Sequence, residues 1–181
     1  MAKANIKDDL FRITGQRDIK TFIKTYLLDP SFRYMFWFRF SNNHSGILCL
    51  YGKLRMRHYS FKFGYQFHAH TQIGKGFYIG HRGSIVINGR AKIGDNCNIA
   101  QGVTIGQTNR GDRKGYPTIG NRVWMGTQSV IVGKVTIGDN VLIAPLSYVN
   151  FDVPSNSIVI GNPAKIISRE NATEGYINNL V

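Results

Sequence analysis

The most regular feature of the chain is an aliphatic residue that recurs at every sixth position through much of residues 67–166. A glycine often follows it, and a small or β-branched residue often stands two positions before the next one. The recurring residues are Ile73, Ile79, Ile85, Ile93, Ile99, Ile105, Ile119, Met125, Ile131, Ile137, Ile143, Val149, Ile160 and Ile166. A period of six fits neither a helix nor an ordinary strand and is typical of a β-helix built from hexapeptides. We therefore predict a mainly β protein whose repeats form a triangular prism with the aliphatic side chains inside.

The first third of the chain follows a helical pattern instead. Apolar residues recur at helical spacing from Ile19 to Leu27, Asp29-Pro30 ends that helix, and Ile47 to His58 repeats the pattern. Between them, residues 32–40 are dense in aromatic side chains. We predict a short N-terminal α-helical segment at residues 1–63, the β-helix at residues 64–168 and a loose, polar C-terminal tail at residues 169–181.

Two interpretations of the aromatic helices remain open. The aromatic side chains could cover the open end of the solenoid, because terminal coils must be shielded from water. Alternatively, residues 31–62 could lie on a membrane as a peripheral, basic and amphipathic surface. Nucleic-acid binding is not expected, because the segment matches no nucleic-acid-binding module.

Charge and cysteine content narrow the setting of the protein. Lysine and arginine number 23 against 10 acidic residues, a net charge of +13, which favours anionic partners. Cys49 and Cys97 do not suggest a disulfide framework, and Cys97 occupies an inward position of its repeat. The first residues lack the pattern of a secretory signal, and no apolar run of about 18 residues exists. We expect the protein to be cytoplasmic, with the inner face of the membrane as an alternative location.

The six-residue phase breaks twice, and we expect the function at these breaks. Ile85 and Ile93 are eight residues apart, so two extra residues push out a corner beside His81. Ile105 and Ile119 are fourteen residues apart, so the polar and basic residues 107–117 should project from the prism as a loop. Loops on a rigid scaffold often carry binding sites. We predict that the loop and His81 face one cleft.

Two segments give the repeat a family resemblance. Residues 79–87 (IGHRGSIVI) and residues 160–166 (IGNPAKI) resemble the left-handed β-helix hexapeptide acyltransferases. Within that superfamily the chain is similar to serine acetyltransferase and to relatives that O-acetylate sugars. The resemblance implies left-handed coils, acetyl-CoA as co-substrate and a homotrimer with clefts between subunits.

The resemblance assigns the role of general base to His81. An imidazole near its ordinary pKa can take the proton from an acceptor hydroxyl as that hydroxyl attacks the acetyl thioester. Serine acetyltransferase carries an aspartate one coil earlier that orients this base, and the matching position here is His68. No metal is expected, because zinc-binding relatives need further histidines in later coils and this chain has none after His81.

The resemblance also places the donor along the later coils. The pantetheine arm is expected to run past small residues and backbone in a groove between subunits, and a lysine near the end of the repeats is expected to meet a CoA phosphate. An outward-facing tryptophan is predicted either to line that groove or to pack at a corner. These donor contacts are Gly106, Gln107, Trp124, Gly126, Thr127, Ala144, Pro145 and Lys165.

The acceptor is where the sequence departs from serine acetyltransferase. That family grips serine through an aspartate just before the base and an arginine–histidine pair before the loop proline, whereas this chain has Gly80 and Gly115-Tyr116. We therefore expect a sugar hydroxyl as acceptor, on a glycan or nucleotide sugar in surface polysaccharide biosynthesis, contacted by His68, Asp112 and Tyr116. Three alternatives stay open: serine O-acetylation in cysteine biosynthesis, N-acetylation of an amino sugar nucleotide, and a non-catalytic β-helix scaffold that docks on membranes.

Overall fold

A computed structural model describes residues 4–181, so residues 1–3 of the predicted helical segment lie outside the described residues. Four helices come first: α1 (Ile6–Thr14), α2 (Ile19–Leu28), α3 (Pro30–Asn43) and α4 (Gly46–Phe63). Helix α3 begins at Pro30, which loses nothing there because the first helical N–H groups have no partner within a helix. None of the helices within residues 4–181 is long and apolar enough to cross a membrane.

Short strands follow the helices and form three sheets. They are β1 (Tyr65–Gln66), β2 (Gln72–Ile73), β3 (Tyr78–Ile79), β4 (Ile85–Ile87), β5 (Lys92–Ile93), β6 (Asn98–Ile99), β7 (Thr104–Gly106), β8 (Thr118–Ile119), β9 (Trp124–Met125), β10 (Val130–Val132), β11 (Thr136–Ile137), β12 (Val141–Ile143), β13 (Tyr148–Val149), β14 (Ser157–Gly161) and β15 (Ala164–Ser168). The first sheet has the order β1-β4-β7-β10-β13, the second β2-β5-β8-β11, and the third β3-β6-β9-β12-β14-β15. Successive strands from β1 to β13 belong to the first, second and third sheet in turn, so the predicted hexapeptide β-helix is confirmed. Its left-handed sense stays a prediction.

The prism has three edges, where the chain turns from one sheet to the next. The His81 edge joins the third sheet to the first at residues 80–84, 100–103, 126–129 and 144–147. The loop edge joins the first sheet to the second at residues 67–71, 88–91, 107–117, 133–135 and 150–152. The tail edge joins the second sheet to the third at residues 74–77, 94–97, 120–123, 138–140 and 154–156.

The core is a set of aliphatic stacks, as the period predicts, with one change of register. Ile87, rather than Ile85, pairs with Ile105 and continues the first-sheet stack through Ile131. Ile85 instead pairs with Tyr65 one coil earlier, and both isoleucines are buried. The two extra residues therefore lie between Ile79 and Ile87, at the corner that carries His81, and not between Ile85 and Ile93 as predicted.

The helices close the open end of the prism. Tyr34 and Phe38 of α3 are buried in one core with the first coils and contact the ring of Phe67. Arg39 pairs with Asp9 through two hydrogen bonds of 2.8 and 3.0 Å and donates to the carbonyl of Ile73 at 2.7 Å. Losing one partner of such a buried pair costs several kcal/mol, about 3–5. The interpretation of the α3 aromatics as a cap is confirmed.

The far end of the repeat differs from the predicted phase. Val159 pairs with Ile143 and is fully buried, whereas Ile160 and Ile166 are 49% and 41% exposed. Strand β15 runs antiparallel to β14, because the chain reverses at Asn162-Pro163 and leaves the solenoid. Assigning Ile160 and Ile166 to the core was therefore wrong.

The C-terminal tail is held on the prism rather than loose. Asn140 accepts from the Thr173 hydroxyl at 2.7 Å, and Asn98 donates to the carbonyl of Tyr176 at 3.0 Å. Asn96 both donates to and accepts from the backbone of Val181, at 2.9 Å each. Asn96 and Asn140 have left-handed φ values of 57° and 55°, which asparagine tolerates. Corner asparagines therefore shape the tail edge and anchor the tail along it.

Candidate active site

The first corner of the His81 edge carries two exposed side chains, a histidine and an arginine. His81 and Arg82 follow directly after β3 and are both exposed. The two-residue excess pushes this corner out of the prism, because the equivalent turns of later coils are shorter. No hydrogen bond joins the His81 ring to another residue in the described part of the chain. His81 is thus open to a substrate from solvent or to a second subunit.

The backbone beneath His81 forms a regular ladder. Gly80 donates to the carbonyl of Ile99 at 2.9 Å, and Gly102 donates to the carbonyl of Ser84 at 2.7 Å. A Cβ at Gly83 would lie 3.0 Å from the Cβ of Gln101, so Gln101 packs directly under the corner. Gln101 could not be predicted from the sequence pattern, because its place below His81 depends on the two-residue excess.

Four predicted donor contacts continue the same edge. Gly126 and Thr127 lie one coil beyond Gln101, and Ala144 and Pro145 lie one coil further. The Thr127 hydroxyl lies 3.4 Å from the Gln101 side-chain oxygen. A Cβ at Gly126 would lie only 2.7 Å from the nitrogen of Pro145. The surface of the edge below His81 is therefore a row of mostly short side chains bordered by the exposed Leu146, which suits an extended ligand.

The loop occupies a different edge from His81. Residues 108–115 form a hairpin closed by the reciprocal backbone hydrogen bonds of Thr108 and Gly115, 2.9 Å each. Arg113 extends it along the loop edge, bonding Asp152 at 2.7 Å. The first sheet separates this edge from His81, so the two do not face one cleft within a single chain, and a shared cleft between subunits stays a prediction.

The predicted acceptor contacts therefore divide between the edges. Asp112 and Tyr116 lie in the exposed or half-exposed part of the loop, and Gly106 and Gln107 lie where β7 enters it. His68 is also on the loop edge, stacked on His70 with ring centroids 5.1 Å apart. A match by coil number cannot distinguish one corner from another, so the assignment of His68 beside His81 within one chain is wrong.

The two outer donor residues have other neighbours. The Trp124 ring lies 4.8 Å from that of Tyr176, so it packs against the tail on the third sheet rather than at a corner. Lys165 lies on β15 opposite Ile160 and is exposed. A role for either residue in donor binding stays a prediction.

Charge is distributed unequally between the edges. Residues 80–84, 100–103, 126–129 and 144–147 of the His81 edge contain no Asp or Glu, so no carboxylate on that edge orients His81. On the loop edge, hydrogen bonds from Arg113 and from the Thr136 backbone lower the pKa of Asp152. Within residues 4–181, no three His, Cys, Asp or Glu side chains lie together as a metal-binding group.

Comparisons with known proteins agree with this architecture. The family model of the bacterial transferase hexapeptide (six repeats) matches residues 116–150. A serine acetyltransferase of Synechococcus elongatus is 40% identical over 106 residues, covering 59% of this chain and 43% of that protein. The chain thus spans less than half the length of this relative.

Two solved structures extend the likeness over most of the chain. The Neisseria gonorrhoeae serine acetyltransferase in complex with serine is 29% identical with a TM-score of 0.68, covering 90% of this chain and 67% of that one. The Brucella abortus serine acetyltransferase in complex with coenzyme A is 26% identical with a TM-score of 0.72, covering 91% and 66%.

These relatives correct the expected acceptor. The similar proteins are serine acetyltransferases and not polysaccharide O-acetyltransferases, so the expectation of a glycan acceptor is contradicted. The departures at Gly80 and Gly115-Tyr116 are local, whereas the similarity extends over 106 residues. The hexapeptide repeat and the prism are the features that this chain shares with these relatives.

Proposed function

We propose that the chain is an acetyl-CoA-dependent O-acetyltransferase with L-serine as acceptor. The observation that carries the proposal is the His81 edge, where an exposed imidazole stands at the head of a strip of small residues. Support also comes from similar proteins solved with coenzyme A and with serine.

The proposed reaction is a direct transfer with His81 as base. The His81 imidazole takes the proton of the serine hydroxyl while its oxygen forms a bond to the thioester carbonyl carbon. The tetrahedral intermediate collapses, the carbon–sulfur bond breaks, and the thiolate takes the proton from the imidazolium. The products are O-acetylserine and free CoA. A positioned base of this kind contributes about 10²–10⁴-fold to the rate.

The donor fits the strip that leads away from His81. Ala144 is half-buried with a short side chain, and Thr127 and Gln101 offer polar side-chain atoms beside it. An extended pantetheine arm could lie along this strip with its thioester towards His81. The net charge of +13 favours approach of the CoA phosphates.

The acceptor requires groups for both charges of serine. Arg82 adjoins His81 and is exposed, so its guanidinium is suited to the serine carboxylate. Asp112 is exposed at the tip of the loop and could meet the amine, but it lies on the other edge of the same chain. A second copy that brings its loop edge to the His81 edge would complete the site, which supports the proposal of a homotrimer.

The acetyl transfer is tested by measuring free CoA thiol from acetyl-CoA with and without L-serine. We expect serine-dependent thiol release and a product whose mass is that of O-acetylserine. D-serine is the control for configuration, and glycine is the control that lacks the hydroxyl. Thiol release that L-serine does not stimulate would overturn the assignment of serine, and failure to bind CoA by calorimetry would overturn the enzyme.

The shared site is tested by mixing subunits. Subunits carrying His81→Ala and subunits carrying Asp112→Ala are each expected to be weakly active alone, and refolding them together should restore part of the activity. Light scattering on the wild type should give the mass of three chains. A monomeric and fully active protein would contradict the shared site.

A further inference from the structure

Helix α4 is apolar on two opposite faces. Its inner face, with Met56, Tyr59 and Phe63, is buried on the cap of the prism. Its outer face carries a second apolar row that no described residue covers. This row consists of Ile47, Leu50, Leu54 and Phe61, which are 82%, 55%, 57% and 79% exposed. A helix that is apolar all round normally lies in contact with a partner on both sides.

Helix α2 repeats the arrangement. Ile19, Ile23 and Leu27 form an outward row and are 73%, 53% and 62% exposed. Lys20 and Lys24 are exposed directly beside that row. The same combination, an apolar row flanked by cations, therefore occurs on two separate helices, and this repetition points to one kind of partner.

The charged side chains on the outer face of α4 are all cationic. Lys53, Arg57 and Lys62 are exposed around the apolar row, and the sequence holds no Asp or Glu between Asp29 and Asp95. A second copy seated on this face by twofold symmetry would bring its own cations against these. A partner must therefore offer both apolar volume and negative charge.

We propose that the outer faces of α4 and α2 dock on an anionic phospholipid surface. Acyl chains receive the apolar rows, and anionic headgroups meet the flanking lysines and arginines. The cytoplasmic leaflet of a membrane carries such lipids. The aromatic run of α3 takes no part, because Tyr34 and Phe38 are buried in the cap, so the contact is made by α4 and α2 and not by the whole of residues 31–62.

Vesicle cosedimentation tests the docking. The full chain is mixed with phosphatidylcholine vesicles and with vesicles that also contain phosphatidylglycerol. We expect sedimentation only with the second kind, and loss of that binding in the Leu54→Gln/Phe61→Gln variant. Glutamine keeps the helix propensity of leucine, and an unchanged thermal unfolding midpoint shows that the variant is folded. Ile167→Gln removes a similarly exposed apolar residue, 52%, from β15 and should bind like the wild type.

The charge requirement is tested with a matched pair of variants. Lys53→Gln/Arg57→Gln is expected to bind about 25-fold more weakly, about fivefold for each cation. Arg90→Gln/Lys92→Gln removes the same charge from an exposed part of the prism and should change binding little. Equal losses in both variants would overturn the assignment of the face.

Self-association is the competing outcome. If α4 instead covers a second copy, the wild type will form particles larger than those of the Leu54→Gln/Phe61→Gln variant in light scattering and will not bind either kind of vesicle. That result, or equal binding to neutral vesicles, rejects the anionic surface. The test reads binding alone, so it stands independently of the acetyl transfer.

Discussion

The His81 edge and the loop edge of the prism are built in different ways. On the His81 edge, backbone hydrogen bonds pass from coil to coil, and Gly126 has no space for a Cβ. On the loop edge, the hairpin projects and is joined to the last coil by the exposed pair Arg113–Asp152. The difference indicates that the backbone under His81 and the proposed donor strip is fixed by packing between coils. The loop is held by its hairpin, by the bond from the Lys134 N–H to the Arg113 carbonyl, and by an exposed ion pair that contributes little stability.

Replacement of His81 should have the largest effect of any change on either edge. His81→Ala is expected to lower kcat about 10²–10⁴-fold, because the serine hydroxyl loses its base. Stopped-time assays of CoA release at saturating substrates measure it. The fold should be unaffected, since His81 is exposed. His70→Ala, a loop-edge histidine, is the control, and an equal loss there would mean that the edges do not differ in chemistry.

Replacing one glycine on each edge by alanine distinguishes the stability cost of overpacking from the cost of a left-handed backbone. Gly126→Ala is expected to destabilise the protein by about 1–3 kcal/mol through overpacking, since its Cβ would lie 2.8 Å from the Ile143 carbonyl oxygen. Gly111 has a φ of +68° and open space around it, so Gly111→Ala should cost about 1–2 kcal/mol, through its left-handed φ alone.

Chemical denaturation measures both glycine variants. Donor KM should rise for Gly126→Ala and stay unchanged for Gly111→Ala, because only Gly126 lies on the donor strip. A raised donor KM in the loop variant alone would reverse the proposed roles of the two edges.

A carboxylate at position 80 should improve the grip on the serine amine. A Cβ at Gly80 would meet nothing closer than 3.9 Å, so Gly80→Asp fits without strain. A charged hydrogen bond contributes about 1.5 kcal/mol or more, so the KM for L-serine should fall about tenfold. Gly80→Asn is the uncharged control. An unchanged KM in Gly80→Asp would argue against serine lying beside His81.

The smallest expected effect concerns the anchor of the loop. Asp152→Asn should increase hydrogen exchange in residues 108–115 and raise the KM for serine at most about fivefold, because an exposed pair contributes about 0–1 kcal/mol. The pKa of Asp152 is lowered by its bond from Arg113. The anchor is therefore fully present above the ordinary aspartate pKa and is lost as pH falls through the lowered value.

Hydrogen exchange in residues 108–115 should also increase in the wild type at acidic pH. This increase should be absent from the pH profile of Asp152→Asn. Exchange that is insensitive to both changes would show that the backbone of the hairpin, rather than the ion pair, holds the loop.

Much of the prism could be predicted from local pattern. Ile99, Met125 and Ile143 point inward because a six-residue period repeats the same side of the triangle. Where the phase breaks, pattern alone is ambiguous: both Ile85 and Ile87 are apolar and buried, and only pairing with Ile105 shows which continues the stack. The tail was mispredicted since its hydrogen bonds go to Asn96, Asn98 and Asn140, which lie far away in sequence.

The sequence by itself determined the solenoid, the buried Cys97 and the exposed His81, because each follows from a residue's place within a repeat of six. Tertiary structure alone decided which edge each residue occupies. It separated His68 and the loop from His81, and it left α4 with an uncovered outer face, since strand pairing and helix packing join residues from different coils. A repeat in the sequence specifies only the spacing of residues along the chain, whereas a functional site depends on which corners of the prism lie next to one another.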